Sequence, residues 1–150
     1  MMAADASPGG LERFVAAQEP VIERVRAELR AGRKASHWMW FVFPQIAGLG
    51  RSETARFYAI RSLEEAAAYL AHPILGQRLV ECTRLMNAVK GSTAEQVLGH
   101  VDALKFHSCM TLFVAVDAQQ PDFAEALRRY FGGTLDRGTL DRIQPDSAGT

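Results

Sequence analysis

His37 stands immediately before Trp38-Met39-Trp40-Phe41-Val42-Phe43-Pro44-Gln45, three residues after Lys34. An imidazole titrates near neutral pH, so His37 is the best general acid–base candidate on the chain. A second constellation, Asp102, Lys105 and Ser108, repeats every three residues and leads into the apolar stretch Met110–Val116. On a helix these side chains share a face, and a carboxylate beside an ammonium there is either a structural ion pair or a proton-transfer pair. His37, Asp102 and Lys105 are therefore the candidate catalytic residues.

Binding candidates surround them. Trp38 and Trp40 each carry a large plane and one N–H that needs a partner, a combination suited to stacking a planar ligand. Gln45 follows, then Gly48-Leu49-Gly50-Arg51-Ser52. Glycines let backbone approach a ligand, and Arg51 with Ser52 at a helix start could receive an anion, although Ser52 reads equally as a plain helix cap. This turn matches neither a Walker loop nor a dinucleotide fingerprint. Lys34, Tyr58, Arg78 and Ser108 complete the set. Against it stands a purely structural account: four aromatics lie between Trp38 and Phe43, too many for a surface. Met39, Phe41 and Phe43 are best read as core.

The elements that must position these residues are helical. Val21, Ile22, Val25 and Leu29 form one arc of a helix from Pro20 to Ala31 that Gly32 stops. Ser52 can cap the run from Glu53 to Ala59, and Ser62-Leu63-Glu64-Glu65 opens a helix to about Leu70. Pro73 starts one that runs to about Lys90, and Ser92-Thr93-Ala94-Glu95 opens a short one that Gly99 closes. The segment Val101 to Val116 is apolar on every side towards its end; its length favours a helix over a buried strand. Pro121 opens a helix that Gly132-Gly133 ends, and Thr139 can cap a last turn. The expected fold is an all-α orthogonal bundle over residues 11–143, with tails at 1–10 and 144–150. The exception most in keeping with the pattern is a small strand pair using 38–43 or 110–116.

Composition narrows the function. The 150 residues suit one domain with a core of its own, and 17 Lys plus Arg balance 17 Asp plus Glu. That balance leaves no global electrostatic footprint for nucleic acid or an anionic membrane. Cys82 and Cys109 lie in no metal-type spacing and read as buried, reduced thiols. No leader or membrane-spanning run is evident, so a cytoplasmic location is expected, with no metal and no cofactor.

The block from His37 to Gln45 closely resembles domain-of-unknown-function family 1810. So do Gly48-Leu49-Gly50, Tyr58-Ala59-Ile60, His72-Pro73, Leu75-Gly76, Arg78-Leu79, Asp102, Lys105 and Ser108, and Met110-Thr111-Leu112-Phe113. The resemblance runs from about residue 11 to about 143. It implies a mostly helical, cytosolic protein of bacterial type and brings no established activity. Some members carry the label calpastatin, whose inhibitory segments are disordered and Pro-rich, unlike this chain. A fainter likeness, in Pro73–Leu79 and Lys105-Phe106, is to the NADAR family, which implies ADP-ribose-type metabolites. Together these features lead to the expectation of a pocket that binds or transforms a small polar ligand of phosphorylated or nucleotide type. The alternative is a non-catalytic interaction module that docks through the aromatic segment.

Overall fold

Prolines, glycines and hydroxyl residues cut the chain into ten helices over residues 10–143, the span that the computed structural model describes. In order they are α1 (Glu12–Gln18), α2 (Ile22–Arg30), α3 (Met39–Val42), α4 (Glu53–Phe57), α5 (Leu63–Ala71), α6 (Leu75–Ala88), α7 (Ala94–Leu98), α8 (His100–Val116), α9 (Pro121–Phe131) and α10 (Arg137–Ile143). The architecture is an all-α orthogonal bundle. Apart from Gly10, the expected tails lie outside the described residues.

The caps follow local chemistry. Ser52 and Ser62 accept hydrogen bonds from the N–H groups of Ala55 and Glu65, which fixes the starts of α4 and α5. Thr93, not Ser92, begins α7, because Thr93 and Gln96 satisfy each other's backbone donors. His72 Nδ1 accepts from the N–H groups of Ile74 and Leu75, so α6 starts at Leu75, two residues beyond Pro73. The last helix is capped by Asp136 rather than Thr139: its carboxylate receives both the N–H (3.1 Å) and the hydroxyl (2.6 Å) of Thr139.

The central element is α8, continuously buried from Ser108 to Phe113 and packed by α5, α7, α9 and α10. Phe106, Cys109, Met110, Leu112 and Phe113 lie on it within the core. Neither segment expected as a strand forms one, since 110–116 belongs to α8 and 39–42 is α3. Among the described residues one isolated bridge joins Ile46 to Ile60 elsewhere. There the Ala47 N–H donates to Ile60 O (2.7 Å) and the Ile60 N–H to Gln45 O (2.9 Å). This bridge closes the loop containing α4 and folds that helix back towards the aromatic segment.

Candidate functional site

The aromatic segment divides according to helical geometry. On the short α3 and at its C-terminal cap, Met39, Val42 and Phe43 turn inward and are buried, while Trp40 and Phe41 are only partly covered. Trp38 precedes the helix and is wholly buried. Its indole N–H donates to Glu28 Oε1 on α2 at 2.8 Å. The same carboxylate receives the N–H groups of Ala35 and Ser36 and the Ser36 hydroxyl. Desolvation opposes the Glu28 charge, but these four hydrogen bonds outweigh it and hold the carboxyl at about 2. Glu28 thus fixes the turn that carries Lys34 and delivers the chain into α3.

Lys34, Asp102 and Lys105 converge beside this turn. Lys34 Nζ lies 2.8 Å from Asp102 Oδ2, and Lys105 Nζ lies 3.5 Å from Oδ1. The Lys34 ammonium stands 5.2 Å from the centre of the Trp38 ring, and that of Lys105 stands 4.8 Å from the centre of Trp40. Both are cation–π distances. Two cations on one carboxylate leave a local excess of positive charge.

Two cavities meet at Trp40 and Tyr58. The outer one is an open cleft of about 780 Å³ with Trp40 and Phe41 on one side and Glu53, Arg56 and Phe57 of α4 on the other. The inner one is a hollow of about 10 Å³ between Trp40, Phe43, Gln45, Ala55, Tyr58 and Lys105. The first has the scale of a small-molecule site, and the second has room for about one water-sized group. Among the described residues, the Gln45 amide and the Tyr58 hydroxyl make no hydrogen bond. Gly50 permits this packing: a Cβ there would stand 2.5 Å from Ala55 Cβ.

The structure therefore brings together Trp40, Gln45, Tyr58 and Lys105, with Asp102 and Lys34 behind them. Other candidates lie apart. His37 is exposed and lines neither cavity. Arg51 is exposed ahead of α4, and the Ser52 hydroxyl serves as the cap of that helix. Ser108 faces α10, sharing its hydroxyl proton between Leu104 O and Asp136 Oδ2. Arg78 lines a separate open cleft of about 830 Å³ with Arg26, Glu81 and Arg84, and pairs with Glu19 at 2.7 Å. It also reaches Gln18, whose amide donates to Phe41 O, so a buried polar chain joins the two regions.

Residues 8–143 match the model of a family described as "Protein of unknown function (DUF1810)". The chain belongs to this family. It is 52% identical to the conserved hypothetical protein Rv1873 from Mycobacterium tuberculosis, whose crystal structure superposes with a TM-score of 0.89; the match covers 91% of this chain and 98% of that one. No curated protein matches the chain. The family is uncharacterised, so the comparisons support the fold while the chemistry must be argued from the geometry.

Sequence reasoning missed Glu28, Glu53, Arg56 and Phe57. The last had a visible signal, a large apolar residue on a short and otherwise polar helix; it is 49% exposed on the wall of the cleft. Glu28 had none, because its partners come together only after the turn has folded. Burial drives the Cys82 thiol up to about 12 and raises that of Cys109 as well, in keeping with inert core thiols. Among the described residues no helix is long and apolar enough to cross a membrane, and no group of His, Cys, Asp and Glu is arranged to hold a metal.

Proposed function

We propose that the chain binds a small polar, nucleotide-like ligand in the cleft between the aromatic segment and α4. The observation that carries this reading is hydrogen-bonding capacity left over around one hollow. The Gln45 amide and Tyr58 hydroxyl have no protein hydrogen-bond partner among the described residues and stay open to solvent, and the Lys105 ammonium, with three donors, meets Asp102 and the face of Trp40. Trp40, Phe41, Phe57 and Tyr58 supply apolar planes for a flat ring. Arg56, exposed on the same cleft and without an ion pair among the described residues, suits a phosphorylated tail. Any proton transfer falls to Lys105, which lines the hollow, with Asp102 behind it as its ion-pair partner; His37 lines neither cavity and pairs with neither residue.

Calorimetric titration with nucleoside mono- and diphosphates and ADP-ribose tests the proposal. Saturable binding is expected, weakened about tenfold or more in Trp40→Ala, because stacking on one aromatic side chain is worth roughly 1–3 kcal/mol. No binding across the panel would overturn it. The exposure of Phe57 favours one second reading, a protein-docking face; under it no small molecule binds, and Phe57→Ser abolishes capture of the partner.

A further inference from the structure

We propose that the inner hollow reads a lactam edge, a ring carbonyl with an adjacent ring N–H, and that Lys105 sets this preference. The inference rests on the ligand-binding reading above and names the chemical class that the site takes. The hollow has room for about one oxygen-sized group, which excludes a tetrahedral phosphate from it and leaves that group to the outer cleft. Trp40 and Tyr58 line both cavities, so a planar ring seated against them in the cleft would present its edge to the hollow.

The polar lining then decides which edge fits. The Lys105 ammonium is donor only and the Tyr58 hydroxyl can donate, so the atom placed between them must accept. A ring carbonyl oxygen satisfies this. An exocyclic amino group would direct its hydrogens at the ammonium and leave charged donors unmet, the arrangement that gives a polar site its strongest discrimination. The Gln45 side chain carries one acceptor and two donors, so it can accept from a ring N–H beside that carbonyl. A carboxylate offers no such N–H, and its second oxygen would be desolvated against the aromatic rings.

Inosine and adenosine 5′-monophosphates differ in just this edge: the first has a carbonyl beside an N–H, the second an amino group beside a bare nitrogen. Isothermal titration of the wild-type protein is expected to give at least tenfold tighter binding of the inosine nucleotide. Lys105→Met, which keeps the aliphatic stem, is expected to bring the two affinities within about threefold while circular dichroism stays unchanged. Equal affinities in the wild type, or a preference for the adenosine nucleotide, would overturn the lactam assignment and leave the ligand-binding reading standing. Failure of both nucleotides and of the wider panel would remove that reading and this one with it. The wild-type comparison requires no variant to fold.

Discussion

At the scale of single residues, Glu28 has the clearest consequence. Four donors from residues 35–38 converge on its carboxylate, and together they hold it at about 2 against an ordinary value of 4.5. A carboxyl depressed on folding stabilises the folded state fully above the unfolded value. That contribution shrinks as pH falls from about 4.5 towards 2, where both states are protonated. Glu28→Gln is expected to cost about 1–2 kcal/mol at neutral pH, because it loses charge-assisted hydrogen bonds at a partly exposed site. Urea denaturation at several pH values should show the gap to wild type closing across that acidic window; a constant gap would assign the loss to packing instead. Trp38 also takes its meaning from Glu28. From sequence it was as good a stacking candidate as Trp40, yet its plane is enclosed and its N–H is satisfied by a carboxylate on another helix. Trp40, Gln45, Asp102 and Lys105 were legible as polar or planar groups beyond the needs of a helical core. Which of them share a cavity depended on packing between α3, α4 and α8, which residue types and spacing do not encode.

At the scale of elements, the helices were legible wherever a breaker or cap sits beside a periodic run, as at Pro121, Gly99, Gly132 and Ser62. The aromatic segment was harder. Alternation through Met39, Phe41 and Phe43 suggests a two-residue period, whereas one helical turn buries Met39, Val42 and Phe43 and leaves Phe41 partly covered at the cleft. Four residues are too few for a helical period to declare itself. The turn between α5 and α6 depends on Gly76 in a way that spacing also conceals. A Cβ at Gly76 would stand 1.9 Å from Leu70 O, a contact with backbone that no rotamer change relieves. Glycine to alanine within an open helix gains about 1 kcal/mol. Gly76→Ala should instead destabilise by about 2–3 kcal/mol, as overpacking does. A chemical melt gives the sign directly, and a stabilised variant would mean that the two helices separate freely at this point.

At the scale of the whole molecule, α10 closes the fold over α8 and reaches the loop that leads into α4. Asp136 is the fastening: its carboxylate receives Ser108 Oγ–H from α8 at 3.0 Å and the Thr139 hydroxyl at 2.6 Å, while its own N–H donates to Thr111 Oγ1 at 2.9 Å. Farther along α10, Arg142 donates to Gly48 O at 3.2 Å, and a Cβ on Gly138 would meet Leu49 at 3.1 Å. The loop braced in this way continues through Gly50, which packs against Ala55 and lies near the Gln45 amide. Asp136→Ala removes the three hydrogen bonds to the carboxylate and leaves a buried Ser108 hydroxyl with only its helical carbonyl. Hydrogen exchange in residues 137–143 should then accelerate about tenfold, the factor for a net loss of roughly 1.4 kcal/mol, at the upper end of the range for a single net hydrogen bond. If α10 braces the loop as the Arg142 and Gly138 contacts indicate, exchange in 46–52 should rise too, and any ligand of the cleft should bind more weakly although no residue lining it has changed. Acceleration confined to 137–143 would separate the two regions and make α10 a cover for α8 alone.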